Sequence, residues 1–180
     1  MMRRIIVIGT TGSGKTAMAR AIAERLAIPH VELDALNWGP DWTEVPREVF
    51  RQRVREAVAG TAWVVDGNYS KSRDIVWPRA ETAVWLDFPL WVILWRLTRR
   101  TIARTLTREE LWSGNRERFR TALLSRNSLF VWALQTYQRR RRGYPELLHR
   151  QEHAHLTVVR LRALRDAASW LDRLDYAPLR

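Results

Sequence analysis

The sequence predicts a three-layer α/β domain built on a five-stranded parallel sheet, and three observations carry that prediction. Short β-branched or apolar runs recur along the chain, amphipathic helical patterns alternate with them, and a glycine-rich turn follows the first run at once. Apolar runs without polar alternation are the mark of strands buried on both faces of a parallel sheet. The chain has 180 residues, 46% of them hydrophobic, which suits one such domain spanning 1–180.

Each element has its own signal. Arg4 to Ile8 is the first strand, ended by Gly9, and Thr16 to Leu26 is a helix with Ala17, Ala21, Ile22 and Leu26 at helical spacing. That helix stops before Pro29, and His30 to Leu33 is the second strand. From Pro46 to Val58 the apolar side chains Val49, Phe50, Val54, Ala57 and Val58 predict a helix closed by Gly60. Ala62 to Val65 and Thr82 to Leu86 are further strands, which stop at Asp66 and Asp87. Two long arginine-rich helices follow, from Pro89 to about Thr107 and from about Asn115 to Arg142, with Leu111 to Asn115 as the tip between them. Leu156 to Leu161 is the last strand, and Leu164 to Leu174 is a closing helix that buries Ala167, Ala168, Trp170, Leu171 and Leu174. Within this frame an acceptor-binding insert is expected at about 35–60 and an arginine-rich helical lid at about 99–126.

Composition narrows the classes of function. Cysteine is absent, so disulfides, thiolate metal sites and thiol redox chemistry are excluded, and a cytoplasmic location is expected. The apolar run at the N-terminus is too short for a secretory signal. Ala83 to Leu97 is interrupted by Asp87, Pro89 and Arg96 and falls short of the roughly 20 apolar residues of a spanning helix, so no membrane partner is expected. The formal charge of +12 admits a nucleic-acid partner, but arginine at solvated surface and at phosphate sites accounts for it better. Only Lys15 and Lys71 are lysine among 31 basic residues, so a lysine standing where phosphate chemistry wants a compact charge is informative.

Gly9, Thr10, Thr11, Gly12, Ser13, Gly14, Lys15 and Thr16 match G-x-x-x-x-G-K-[ST], after a predicted strand and at the start of a predicted helix. Glycines let backbone N–H groups turn toward phosphates, and the helix N-terminus adds the positive end of its dipole. Lys15 is expected on the β and γ phosphates of ATP and the Thr16 hydroxyl on Mg2+. Asp66, at the end of its strand, is expected to assist the metal. Asp87 is the second candidate for that role, or a turn acceptor before Pro89.

Asp34 follows a strand toward the same sheet edge. It either contacts the phosphoryl acceptor, taking its hydroxyl proton as general base, or caps the turn Ala35-Leu36-Asn37. Arg96, Arg99, Arg100, Arg104 and Arg108 form a helical stripe, with further sets at Arg116 to Arg126 and Arg139 to Arg142. Guanidinium groups stabilise a phosphoryl group in transfer, and Arg100, Arg104, Arg108, Arg116 and Arg118 are the candidates for closing over it. The tryptophans Trp63, Trp85, Trp91 and Trp95 are read as core. Trp38 and Trp42 either stack on a base or anchor their loop. His30, His149, His153 and His155 have no metal-site spacing.

The phosphate-loop motif, together with Glu32-Leu33-Asp34-Ala35-Leu36-Asn37-Trp38, Trp63-Val64-Val65-Asp66-Gly67-Asn68-Tyr69 and Glu110-Leu111-Trp112-Ser113-Gly114-Asn115-Arg116-Glu117, resembles the adenylate-kinase-like branch of P-loop NTPases. Within it, the likeness is to bacterial DNA topology modulation proteins or adenylate-kinase-related ATPases. The resemblance implies an ATP-dependent phosphotransferase of monomer or homodimer size, with a nucleotide, nucleoside or small hydroxylated acceptor. The alternative is an ATP-hydrolysing regulator associated with DNA topology. Adenylate kinases carry Asp-Gly-Phe-Pro-Arg where this chain has Asp66-Gly67-Asn68-Tyr69-Ser70, so their acceptor arginine is missing there, although Arg73 is close.

Overall fold

The computed structural model describes residues 2–107, 113 and 129–174. Five parallel strands, β1 (Arg4–Gly9), β2 (His30–Glu32), β3 (Trp63–Asp66), β4 (Thr82–Leu86) and β5 (Thr157–Leu161), lie in the order β2-β3-β1-β4-β5. β1 is central, with Ile6 opposite Val65 on one side and Ala83 on the other. Its side chains alternate between two cores because successive residues of a strand face opposite ways. Ile5 and Val7 join Met18, Ile22, Ile93 and Leu97 on one face. On the other face, Ile6 and Ile8 join Phe50, Val54, Trp63 and Trp77. The result is the expected three-layer sheet.

Helices α1 (Lys15–Leu26), α2 (Leu33–Asn37), α3 (Arg47–Ala57), α4 (Arg73–Val76), α5 (Leu90–Thr107), α6 (Leu129–Leu148) and α7 (Leu164–Asp172) cover the faces. The long helix α6 has an unusual course. Its residues Ala133 and Tyr137 are buried in the first core, whereas Tyr144, Leu147 and Leu148 are buried in the second. It therefore passes from one face of the sheet to the other, and its middle turn, Arg139 to Arg142, crosses the C-terminal ends of the strands.

Several sequence expectations need correction. Strand β2 ends at Glu32, and Leu33 already starts α2, so Asp34 sits in the first turn of a short helix rather than after a strand. On α1 the buried face is Met18, Ala19, Ile22 and Ala23, while Ala17 is exposed. Val49 on α3 and Ala168 on α7 also face solvent. Trp63 and Trp85 are core, but Trp91 is 72% exposed and Trp95 49%. On α5 the inward positions go to Val92, Ile93 and Leu97, one residue round the helix, and Arg99 lies 4.9 Å over the Trp95 ring. Helix α6 continues to Leu148, past Gly143 and with Pro145 inside, because Leu147 and Leu148 fill the second core. The expected tip 111–115 and start of the second long helix lie outside the described residues, apart from Ser113.

Candidate phosphate site and adjoining cavity

The loop between β1 and α1 has the backbone its glycines allow. Gly12 and Gly14 take φ of +83° and +90°, in the left-handed region that other residues avoid. A side-chain carbon at Gly14 would collide with the Arg96 guanidinium, which reaches over the loop from α5. The loop closes on itself through Ser13 N–H donating to the Thr10 carbonyl at 3.1 Å. Ser13 Oγ is buried with no hydrogen-bond partner in the protein.

Lys15 Nζ donates to the Thr10 carbonyl at 3.2 Å. Its pKa is lowered to about 8, first by burial and then by Arg140 and Arg100, against the opposing pull of Asp34 and Asp66. All four therefore lie within electrostatic range of Lys15. Burial, and then Arg99, lower the pKa of Arg96 too. Cations gathered out of water beside a backbone cradle are an arrangement that a polyphosphate stabilises.

Thr16 Oγ1 donates to Asp66 Oδ2 at 2.6 Å and lies 3.3 Å from Glu32 Oε1. The other oxygen of Asp66 is 3.1 Å from His30 Nε2. A hydroxyl beside a buried carboxylate is the hard oxygen set that magnesium takes alongside phosphate oxygens and water. Asp87 serves elsewhere. It is buried at the end of β4, where its Oδ2 accepts from Arg160 Nε and Nη2 at 3.0 and 2.6 Å, and its Oδ1 lies 3.3 Å from Arg141 Nε.

Asp34 Oδ1 accepts a 2.5 Å hydrogen bond from the Tyr69 hydroxyl. Burial and then Asp34 itself raise the Tyr69 pKa, so the phenol stays protonated and donates. Tyr69 lines a cavity of about 400 Å3 whose walls come from β1, β3, the loop after β3, α4 and α6. None of its lining residues falls between 35 and 60. A polar chain joins cavity and phosphate loop: Tyr144 Oη donates to Asn68 Oδ1 at 2.8 Å, and Asn68 Nδ2 donates to the Gly9 carbonyl at 2.6 Å. Arg140 lines the cavity, bears electrostatically on Lys15, and has its Nη1 buried with no hydrogen-bond partner in the protein.

The structure thus brings Gly9 to Thr16, Asp34, Asp66 and Arg100 together. The Arg104 side chain and Arg108, Arg116 and Arg118 lie outside the described residues. Trp38 and Trp42 pack edge to face at 5.9 Å, a geometry that anchors their loop. Lys71 is a tether, 2.9 Å from Glu44 and 4.7 Å above the Phe50 ring. Sequence reading missed His30, Glu32, Asn68, Tyr144, Arg96 and Arg140 as site residues. The Arg139 to Arg142 run was visible as charge, but nothing local says which of its members meets the loop.

Residues 5–65 match the model of the ATPase family associated with various cellular activities (AAA). No curated protein matches the chain. Among solved structures, a shikimate kinase from Bacteroides thetaiotaomicron is 17% identical with a TM-score of 0.57, over 97% of both chains. A shikimate kinase from Acinetobacter baumannii in complex with shikimate is 16% identical with a TM-score of 0.57, over 96% of this chain and 90% of that one. A gluconokinase from Sinorhizobium meliloti 1021 is 20% identical with a TM-score of 0.51, over 96% and 93%. At these identities the likeness is one of fold, and the fold is that of the P-loop kinases.

Proposed function

We propose that the protein is an ATP-dependent phosphotransferase acting on a small hydroxylated acceptor held in the cavity beside the phosphate loop. The observation that carries this reading is Arg140, which bears on Lys15, lines the cavity and keeps a buried guanidinium donor without a partner. A buried donor left unsatisfied costs about 1–3 kcal/mol, more when charged, so a site built this way gains from an oxyanion that fills it.

The residues fit Mg-ATP. The amides of Gly9 to Gly14 and Lys15 would hold its phosphates, and Thr16 and Asp66 would hold the metal. Mg-ATP supplies the phosphoryl group and an electrophile whose charge the metal partly neutralises. What the chain itself contributes follows from the geometry. Tyr69 holds one oxygen of Asp34, leaving the other to accept the proton of the acceptor hydroxyl. The oxygen–phosphorus bond to the acceptor forms as the bond to the β-phosphate oxygen breaks, and ADP leaves. Arg100 and Arg140 bear electrostatically on Lys15, where negative charge concentrates in that step.

The test is incubation of the protein with labelled ATP and Mg2+ against nucleotides, nucleosides and hydroxylated metabolites. Transfer to one class, lost in Lys15→Ala, is the expected outcome. Asp34→Asn should bind ATP normally and lose transfer by at least a hundredfold, as expected for a general base. ATP hydrolysis with no transfer to any acceptor would favour the regulatory ATPase instead.

A further inference from the structure

We infer that the outer face of α5 is a membrane-docking surface, which lays Trp91, Trp95 and Ile102 into the headgroup boundary of an anionic lipid bilayer. None of these three side chains lines the cavity, so the inference stands apart from the transferase reading.

A helix packed on a sheet needs one apolar face, and α5 has two. Val92, Ile93 and Leu97 fill the first core and meet that ordinary need. Trp91, Trp95 and Ile102 lie on the outer side, between 45% and 72% exposed, at spacings of four and seven that place them in one row. From Trp91 to Ile102 the row rises roughly 16 Å along the helix, and the exposed Arg99 stands within it. The neighbouring helix extends the apolar surface. α6 packs against α5, and on it Trp132 and Leu134 flank the buried Ala133 and are close to half exposed. Single exposed apolar residues need no explanation, but a row of large ones, two of them tryptophan, marks a surface that something covers.

Charge decides what covers it. The sequence of α5 carries four arginines and that of α6 four more, against the one carboxylate of Glu146. A second copy of the chain would bring like charge against like charge across the contact, so this face repels itself and attracts an anionic partner. A nucleic-acid strand would have to stack its bases on the rings, and Trp95 already has Arg99 over its ring at 4.9 Å. A bilayer surface uses the same features without that conflict. Indole rings settle between headgroups and acyl chains, while an arginine beside them lays its methylene stem along apolar surface and carries its guanidinium to the lipid phosphates. Burial of the apolar row and attraction to acidic headgroups then act together. Such docking needs no spanning segment, and a convex helix ridge suits a soft surface that closes round it.

Vesicle binding tests the inference on the full chain, with phosphatidylcholine vesicles compared with vesicles that also contain phosphatidylglycerol. The protein should co-sediment with the mixed vesicles, bind the neutral ones about tenfold more weakly, and lose affinity as salt is raised. Tryptophan emission should shift to the blue on binding and be quenched by lipids brominated near the top of the acyl chain. Trp91→Gln with Trp95→Gln should weaken binding to the mixed vesicles roughly tenfold and remove most of that quenching. The unchanged Tm and ATP-analogue affinity of the double variant would show that it folds. Trp91→Gln alone, at the most exposed position, should weaken vesicle binding about threefold and keeps the test open if the double variant does not fold. No binding of the parent protein to the mixed vesicles overturns the inference, as does full binding of the variants, which would mean that the arginines alone adhere. Two further results would also overturn it: a lipid-free dimer seen by sedimentation and lost in the variants, or tighter binding to a single-stranded oligonucleotide that the same substitutions abolish.

Discussion

Lys15 shows how much one side chain's surroundings decide. Its folded-state pKa of about 8 lies below the ordinary 10.5, so the folded protein binds this proton less readily than the unfolded chain does. The charged form is therefore a burden on the fold below pH 8, one that is relieved as pH rises from 8 toward 10.5. Phosphates reverse the balance, because they favour the ammonium. Nucleotide binding above pH 8 should take up close to one proton and weaken about tenfold per pH unit. Calorimetry in buffers of different ionisation enthalpy measures that uptake directly, and a proton count near zero at pH 9 would refute it. Lys15 and Thr16 could be read from sequence because the motif places both within one turn of the loop. His30 and Glu32 could not, since their approach to Asp66 and Thr16 depends on β2 lying beside β3 in register, His30 against Val64 and Glu32 against Asp66.

At the scale of the element, α6 is the part of the site that sequence could not deliver. Its existence was plain from periodicity, but its passage across the strand ends rests on contacts between residues more than fifty positions apart. Asp87 anchors that passage by joining Arg160 of β5 to Arg141 of α6. Arg141 neighbours Arg140 on the helix, so this anchor sets the rotation that turns Arg140 toward the loop. Removing one partner of a fully buried pair costs roughly 3–5 kcal/mol. With Arg141 45% and Arg160 34% exposed, about 2 kcal/mol is a better figure for Asp87→Asn, because solvent screens both arginines. Urea denaturation checks the loss, and a fall in kcat with KM for ATP kept would show that Arg140 has been displaced as well. Trp91→Gln provides the contrast. The side chain is 72% exposed, so its loss should move stability by no more than about 0.5 kcal/mol. An indole in an apolar helical run reads as core in sequence; only the packing of Val92, Ile93 and Leu97 reveals which way the helix is turned.

For the whole molecule, alternating apolar runs and amphipathic segments were enough to specify a parallel sheet with helices on both faces. That pattern also put the loop at the C-terminal ends of the strands, where ligands of such sheets sit. The order β2-β3-β1-β4-β5 came from the structure, and it is this order that sets Asp66 against Thr16 while Asp87 looks toward β5. No helix among the described residues is long and apolar enough to cross a membrane. Because the loop, Asp66 and α6 all converge on one edge, nucleotide should stabilise the fold as a unit. Mg-ATP at a hundred times its Kd contributes about 2.7 kcal/mol, or roughly 5–10 °C in Tm for a chain of this length. Differential scanning fluorimetry should show that rise in the parent protein and little of it in Lys15→Ala.

The chain of hydrogen bonds from Tyr144 through Asn68 to the Gly9 carbonyl carries one more consequence. A group seated against Tyr144 changes what Asn68 can offer the loop, and nucleotide drawing on the loop changes what Asn68 can offer Tyr144. Any such influence is a coupling free energy, and thermodynamics makes it equal in both directions. On the proposed transferase reading, nucleotide and acceptor are then cooperative partners, each altering the other's affinity by the same factor. In Asn68→Ala that shared factor should fall toward one, with each substrate still able to bind alone.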